Sequence, residues 1–329
     1  MQKSQLSLAL ALALVACIFF VSASELRGQA MDKALITHQS ESIGIAPLIY
    51  GIEKGFYRRE GMDLQFRILR SDLAVSAIVG SREVDYMYGA GTAFRAGAKG
   101  LPIRILSHDI KSVLHYLMVP PSVQSAKDLK GKKVAVGSLG GTNMAAARAS
   151  IKALGLDADK DVTYIVIGAA SIRMAAMETG SVQASMMPAP WNVRMKQKGF
   201  KEMMFAGDVI SDPLNGIVTS KEKLDKNPEQ VKKVLRGFLR ALKAVRTEKR
   251  DVSEFMAVKY SLDIRTAEDV YGTLIQTLTE DGTVSDQLLQ EQLEQFKSEG
   301  GVKKDVVIGE IVDYRLVREM GRELARPNR

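Results

Sequence analysis

The chain is poor in cysteine, tryptophan and histidine. Its 329 residues include one cysteine, one tryptophan and three histidines. Because Cys17 falls in an apolar leader, the mature chain has no thiol for a disulfide, a thiolate metal site or a cysteine nucleophile. The histidines, His38, His108 and His115, lack the HxxxH spacing of a helical zinc site. The sequence therefore predicts no catalytic residue, no metal and no cofactor.

The first 30 residues have the pattern of a secretory signal peptide. Lys3 provides a positive start, residues 6–21 are an unbroken apolar run, and small residues follow. An uncleaved membrane anchor is one alternative, since about 18 apolar residues are borderline for a span. Lipidation at Cys17 is another, although the apolar run continues beyond that residue. We expect an exported protein in the periplasm or another extracytoplasmic compartment.

The chain carries a modest excess of positive charge. Lysine and arginine number 46 against 38 acidic residues, which gives a net charge of +8. Nucleic-acid binders concentrate basic residues with aromatics on one face, whereas here they are spread along the chain. The densest stretch, residues 221–250, has the pattern of a solvated helical face with a mild bias toward anionic partners. The sequence predicts no nucleic-acid partner.

Short apolar segments alternate with helical ones to about residue 208, and the remainder is mostly helical. The strand candidates lie at residues 33–38, 63–68, 84–88, 103–108, 115–119, 133–137, 162–167, 184–187, 203–206 and 215–219. The helix candidates lie at residues 72–79, 92–99, 142–154, 171–179, 190–198, from 228 onward, and at 252–260, 267–279 and 286–298. This alternation predicts α/β architecture, with parallel sheets covered by helices on both faces.

Two proline-containing segments suggest that the chain crosses between two lobes. Pro120 and Pro213 each follow a strand candidate, and proline blocks further ladder pairing. Crossing strands at these points would form a hinge. The predicted divisions are a signal peptide at 1–30, the first part of lobe I at 31–119, lobe II at 120–212, and the return strand and C-terminal helices of lobe I at 213–329.

The candidate ligand-binding residues follow the predicted strands. Ligands of open parallel sheets sit beyond the carboxyl ends of the strands, where helices begin. The candidates chosen on this basis are Gln39, Ser40, Arg70, Ala90, Gly91, Thr92, His108, Ser138, Gly141, Thr142, Asn143, Ser171, Pro188, Trp191 and Asn215.

The glycine-rich turn at residues 137–143 is the strongest local signal. Glycine lets the backbone approach a ligand closely, and free N–H groups at a helix start favour an anion or a carbonyl oxygen. Ser138, Thr142 and Asn143 add side-chain donors. The turn lacks the Lys-Ser/Thr pair of a P-loop and the GxGxxG fingerprint. An ordinary strand–helix turn with Thr142 as the N-cap is the alternative.

Three other candidates also carry alternatives. The Arg70 guanidinium at a strand end can hold a carboxylate, sulfonate or phosphate at two points, or else pair with Asp72 at the surface. Trp191 suits either a wall of the pocket or the core. His108 and Asp109 are neighbours in an extended segment and point to opposite faces, so they are not a catalytic pair.

Several motifs along the chain match one known family. They lie at residues 46–57 (APLIYGIEKGFY), 60–63, 80–86, 125–136 (SAKDLKGKKVAV), 154–162 and 177–184. In these motifs the chain resembles the ABC-importer substrate-binding proteins of the nitrate/sulfonate/taurine type, a group that also contains binders of the pyrimidine precursor of thiamine. Gln183 stands where the family has aspartate. The resemblance extends from about residue 33 to 324 and implies a type II periplasmic-binding fold. That fold has two doubly wound α/β lobes, a ligand cleft between them and, here, a helical C-terminal extension.

The resemblance also implies a function. It implies a monomeric, non-enzymatic receptor that closes on a small polar or anionic organic molecule and delivers it to an ABC permease. A ligand-sensing module for a membrane receptor is one alternative, and an enzyme on the same scaffold is another. The related enzymes depend on cysteine, which the mature chain lacks. Whether the ligand bears a carboxylate, a sulfonate or a pyrimidine stays open.

Overall fold

The computed structural model describes residues 31–210, 212–302 and 305–326. The leader, with its predicted signal peptide, the anchor alternative and Cys17, lies outside these residues. Within the described ranges, no helix is both long enough and apolar enough to cross a membrane.

Ten strands alternate with helices in the described ranges. The strands are β1 (Asp32–His38), β2 (Met62–Ile68), β3 (Tyr86–Tyr88), β4 (Ile103–Ile105), β5 (His115–Val119), β6 (Lys132–Val136), β7 (Val162–Val166), β8 (Ala184–Pro188), β9 (Lys201–Phe205) and β10 (Ile217–Ser220). The helices are α1 (Ala46–Glu53), α2 (Phe56–Arg59), α3 (Ser71–Ser76), α4 (Ala90–Ala98), α5 (Thr142–Ala153), α6 (Ala170–Glu178), α7 (Trp191–Gln197), α8 (Lys221–Lys226), α9 (Pro228–Thr247), α10 (Lys249–Tyr260), α11 (Ile264–Thr277), α12 (Asp286–Ser298) and α13 (Arg315–Ala325).

The strands form two five-stranded sheets. The first has the order β2-β1-β3-β10-β4 and the second the order β7-β6-β8-β5-β9. The predicted α/β class and two-lobed architecture are confirmed. The expectation of purely parallel sheets is wrong, because β10 runs antiparallel to β3 and β4, and β5 antiparallel to β8 and β9. These are the strands that enter each sheet directly after the chain arrives from the other one.

Each sheet has its own hydrophobic core. A large cluster packs on the first sheet and includes Ile36, Tyr86 and the buried face of α9, where Val231, Leu235 and Phe238 recur at helical spacing. The second sheet has one cluster on the side of α5 and another on the side of α6 and α7. We call the two sheets with the helices packed on them the first and the second lobe.

The chain passes between the lobes twice. The first passage lies between β4 and β5, and the second follows Ile210 and leads into β10. The first passage is predicted at Pro120 from sequence, but β5 ends at Val119 and already belongs to the second sheet. Pro120 ends that strand at its far end, because proline cannot continue the ladder. The passage therefore precedes His115.

Backbone hydrogen bonds join the two passages in a hinge. Leu214 N–H donates to Ile110 O at 2.9 Å, and Asp109 N–H donates to Asn215 O at 3.1 Å. Ile110 also bridges Leu278, so a third segment from the C-terminal helices borders the hinge. Lobe closure would be accommodated by twisting of these short extended segments.

The hinge holds a buried carboxyl group. The Asp109 side chain is fully buried and accepts a hydrogen bond from the Tyr88 hydroxyl. Burial raises the pKa of Asp109 to about 7, because desolvation penalises the charged carboxylate. A raised pKa in the folded state means that the protonated form is favoured there. The protonated Asp109 therefore contributes fully to the free energy of unfolding below the pKa that this group has in the unfolded chain. This contribution is lost as the pH rises through about 7.

Asp109→Asn is expected to become progressively more stable than the wild type as the pH rises from about 4 to 7. The difference in the free energy of unfolding grows by up to about 1.4 kcal/mol for each pH unit. Urea unfolding of both proteins across this range measures it. The buried histidines titrate in both proteins, so their contribution cancels in the comparison. A difference that does not change with pH would contradict the buried titration.

Candidate ligand cleft

The candidate cleft lies where the two lobes meet. Residues 39–43 after β1 and the first turn of α4 face residues 137–143 after β6 and residues 188–191 after β8. A Cβ added to Gly141 would lie 2.8 Å from Thr92 Oγ1, and one added to Gly91 would overlap Thr142 Oγ1. The lobes approach this closely because both positions lack a side chain.

Hydrogen bonds hold the lobes together along one side of the cleft. Ile43 N–H donates to Ala189 O at 2.9 Å, and Trp191 Nε1–H donates to Glu41 O at 2.8 Å. The Arg194 guanidinium donates to Tyr260 O and lies 4.7 Å from the centroid of the Trp191 ring. The structure is therefore a closed form, with the lobes in contact.

Closure buries polar atoms that have no partner in the described part of the chain. They include Ser138 Oγ, Thr142 Oγ1, His115 Nδ1, Arg173 Nε and Asn215 Oδ1. A buried donor or acceptor without a hydrogen bond costs about 1–3 kcal/mol, so native proteins leave few of them. Their concentration around the cleft is what a site for a polar ligand requires.

Arg173 is the most unusual of these residues. It lies on α6, its side chain is 2% exposed, and Nη1 donates to the carbonyls of Ile167 at 2.9 Å and Gly168 at 2.5 Å. Within the described ranges, no carboxylate approaches its guanidinium closely enough for an ion pair. Burial lowers the pKa of Arg173 to about 10, so the group stays charged at neutral pH. This is a buried cation whose counter-ion is not a side chain.

The Arg173 guanidinium reaches the space between the lobes. A Cβ added to Gly137 would lie 3.2 Å from Arg173 Nη1 and 3.5 Å from Gln39 Oε1, which belongs to the first lobe. The positive charge of Arg173 acts on the nearby His115 ring, which in turn is influenced by His38. Burial lowers the pKa of His115 to about 3, with further lowering by Arg173 and His38, and burial lowers the pKa of His38 to about 4. Both rings are neutral at pH 7, so the positive charge here is that of Arg173.

A second buried arginine, Arg95, is fully paired. Its Nη1 lies 2.6 Å from Asp212 Oδ2, and the two side chains are 5% and 0% exposed. Gln292 on α12 donates to the other oxygen of the same carboxylate. Asp212 belongs to the return passage, so this network fixes that passage to α4 and α12. Because Asp212 is the counter-ion of Arg95, this arginine gives no indication of an anionic ligand, in contrast to Arg173.

Most of the residues predicted from sequence lie in the segments that meet at the candidate cleft, and their role in ligand binding stays a prediction. They are Gln39, Ser40, Ala90, Gly91, Thr92, Ser138, Gly141, Thr142, Pro188, Trp191 and Asn215. Among them, Asn215 Nδ2 donates to Gly44 O at 2.8 Å and its side chain lies beside the His38 ring.

Asn143 has a structural role rather than the predicted donor role. Its Oδ1 accepts from Gly137 N–H at 2.8 Å, and its Nδ2 donates to Met186 O at 3.1 Å. The amide thereby ties the ends of β6 and β8 together, and both of its polar atoms are occupied.

Three other predicted residues have surroundings that do not favour the predicted role. Arg70 pairs with Asp72 at the surface and is 43% exposed, and its side chain approaches Gly168 of the second lobe. His108 is buried inside the first lobe, where Nδ1 contacts the Tyr314 hydroxyl at 2.5 Å. Burial lowers its pKa to about 3, so it is a neutral core residue. Ser171 is exposed on the first turn of α6.

Arg173 and His38 were not predicted from sequence as cleft residues, and His115 was left open between a structural position and the cleft edge. The prediction considered the residues immediately after each strand, whereas Arg173 projects from the first turn of a helix. Its signal was the one arginine among the small and apolar residues of 168–177. His38 and His115 lie inside strands, at ends that meet the cleft.

The two α/β lobes with a cleft between them have the architecture of the periplasmic binding protein fold. The sequence model of the family described as "NMT1/THI5 like" matches residues 42–252. The chain belongs to this family.

Individual proteins show the same likeness. The riboflavin-binding protein RibY of Chloroflexus aurantiacus is 26% identical over 210 residues, which cover 61% of this chain and 58% of that protein. The alkanesulfonate-binding protein SsuA of Xanthomonas axonopodis, solved with MOPS, is 17% identical, with a TM-score of 0.70 over 87% of this chain and 98% of its own. The nitrate-binding protein NrtA of Synechocystis is 18% identical, with a TM-score of 0.70 over 90% of each chain. The last two likenesses show a shared fold.

Proposed function

We propose that this protein is the extracytoplasmic solute-binding component of an ABC import system. It captures a small anionic organic molecule by closing its lobes and delivers that molecule to a permease. Membership of the family and the fold shared with SsuA and NrtA support this role. A ligand bound at such a cleft stabilises the closed form over the open one, and a permease can recognise that difference.

One observation carries the anionic character of the ligand. Arg173 places a permanent positive charge in the closed cleft, without a carboxylate partner in the described residues. A charge in this environment is tolerated when it is paired and hydrogen-bonded. An anionic group of the ligand would supply the missing counter-ion, and the hydroxyls of Ser138 and Thr142 would supply further hydrogen bonds.

We also propose that the protein is monomeric, that it is exported, and that it has no enzymatic activity. The neutral imidazoles of His38 and His115 suit hydrogen bonding to a ligand in this role. A ligand-sensing module would use the same cleft and differ only in its membrane partner. Transport assays with candidate permeases in vesicles would separate the two roles, because only the importer drives uptake of the ligand.

A thermal-shift screen of the purified protein tests the class of ligand. The protein is first unfolded and refolded to remove carried-over solute. Carboxylates, sulfonates and pyrimidines, which the sequence leaves open, are tested as separate groups. Nitrate and riboflavin are added because NrtA and RibY are named for these ligands. A ligand at about 100 times its Kd stabilises the fold by roughly 2.7 kcal/mol. We expect shifts from organic anions. Shifts confined to uncharged compounds would contradict the role given to Arg173.

Gly141→Ala is expected to weaken ligand binding by roughly 5- to 150-fold, the cost of about 1–3 kcal/mol for overpacking. The added methyl group would lie 2.8 Å from Thr92 Oγ1 and 2.9 Å from Ser138 Oγ, so it opposes closure. The emission of Trp191, the only tryptophan, reports closure because its indole bonds across the cleft. Gly140→Ala is the matched control, since nothing lies within 4 Å of its added Cβ. Equal effects of the two substitutions would contradict this account of closure.

A further inference from the structure

A groove in the first lobe lies apart from the cleft. It is lined by residues of α9 and α13 together with Glu280 and Asp281, and it has a volume of about 610 Å³. None of the cleft residues lines it. Gly321 leaves open space in its wall, because an added Cβ would meet nothing within 4 Å. Pockets of roughly 300–1,000 Å³ are the size that small molecules occupy.

The walls of the groove carry an excess of positive charge. Five cationic and two acidic residues line it. Arg240 pairs with Glu60 at 2.8 Å, and Arg246 lies 3.7 Å from Glu280. The other three, Lys243, Arg318 and Arg322, have no ion-pair partner in the described part of the chain. Lys243 faces the groove from α9, and Arg318 and Arg322 face it from α13.

The floor of the groove is apolar. Val317 is fully buried beneath it, and Leu239 and Leu324 are half-buried along its sides. Unpaired cations above an apolar floor match a molecule with one anionic end and one hydrocarbon end. A flat charged surface would meet the cations without reaching the floor.

We propose that this groove is a second binding site, independent of the cleft, for a small amphipathic carboxylate with a hydrocarbon chain. The carboxylate pairs with Lys243 and Arg322, and the chain lies over Gly321 against Val317 and Leu324. Because the groove uses none of the cleft residues, this site stands whether or not the proposed transport function is correct.

Calorimetric titration with decanoate, below the concentration at which it forms micelles, tests the site. Gly321→Leu fills the groove without changing its charge, and we expect it to weaken binding by at least about tenfold. Gly272→Leu is the matched control, because Gly272 also lies in a helix with nothing within 4 Å of an added Cβ. Unchanged binding in Gly321→Leu, with circular dichroism showing a folded protein, overturns the proposal.

Charge variants provide a readout that does not depend on filling the groove. Lys243→Gln and Arg322→Gln replace exposed side chains, and each is expected to weaken decanoate binding by about two- to fivefold. Acetate and decanol, which carry only the charge or only the chain, are expected to bind much more weakly. Equal binding of acetate and decanoate would show that the floor plays no part and overturns the proposal.

Two further experiments test whether decanoate binds in the cleft instead and whether the groove binds a membrane surface. Arg173→Met leaves the groove intact, so decanoate affinity is expected to persist. Loss of binding in that variant would place decanoate in the cleft and overturn the proposal. Sedimentation with phosphatidylglycerol vesicles tests a membrane surface. Vesicle binding that Gly321→Leu abolishes, without binding of free decanoate, overturns the small-ligand assignment.

Discussion

Arg173→Met is expected to abolish capture of the anionic ligand and at the same time to stabilise the ligand-free protein. The unpaired guanidinium is 2% exposed, so the folded protein bears the cost of removing a charge from water. Methionine keeps an unbranched, flexible chain and removes that cost, but it also leaves the carbonyls of Ile167 and Gly168 without their donor. Replacing a buried ion pair with apolar groups stabilises proteins by up to about 4 kcal/mol, and the loss of these two hydrogen bonds makes the expected gain here smaller. Urea unfolding of the two proteins measures the gain.

The loss of affinity in Arg173→Met should be large. Truncating one member of a buried charge pair costs about 2–5 kcal/mol, which is roughly 30- to 5,000-fold in Kd. Calorimetry with the ligand found in the screen measures it. Arg70→Met is the matched control, because Arg70 is 43% exposed and pairs with Asp72. Affinity lost in Arg70→Met and kept in Arg173→Met would return the anion-binding role to the residue chosen from sequence.

Asp212→Ala is expected to cause the largest loss of stability, about 3–5 kcal/mol. It leaves the Arg95 guanidinium, 5% exposed, without a counter-ion, and it removes the acceptor of Gln292. Chemical unfolding measures the change. Asp225→Ala is the matched control, because the pair of Asp225 with Lys221 is exposed and such pairs contribute about 0–1 kcal/mol.

A double substitution tests the cause of that loss. Replacing Arg95 with methionine in the Asp212→Ala protein removes the uncompensated charge and should recover part of the stability. A double variant no more stable than Asp212→Ala would show that the carboxylate acts through the position of the return passage and not through the charge of Arg95.

Local patterns located most of the secondary structure, although α13 (Arg315–Ala325) was not among the predicted helices. Alternating apolar runs predicted all ten strands that the structure describes, and α12 begins and ends at the predicted residues, Asp286 and Ser298. Strand direction was not predictable in the same way. β5 and β10 run antiparallel because of the direction from which the chain enters each sheet, which no local pattern records.

The site was predictable only where it follows a backbone rule. Gly91, Gly141 and Thr142 lie at helix starts beyond strands, and that rule located them. Arg173 lies a turn into its helix, and its importance depends on burial without a partner, which only the assembled lobes reveal. Asn143 lies in the predicted segment, but its amide is not available to a ligand. Its two polar atoms are hydrogen-bonded to backbone groups at the ends of β6 and β8.

The three hydrogen bonds between the lobes at residues 189, 41 and 260 share a feature with a wider consequence. Every acceptor is a main-chain carbonyl, of Ala189, Glu41 and Tyr260. A carbonyl is present whatever side chain stands at the position. Among the donors, only Ile43 N–H belongs to the main chain, whereas Trp191 and Arg194 donate from their side chains. Substitutions at Glu41, Ala189 and Tyr260 therefore leave all three acceptors in place, while a substitution at Trp191 or Arg194 removes a contact that holds the lobes together.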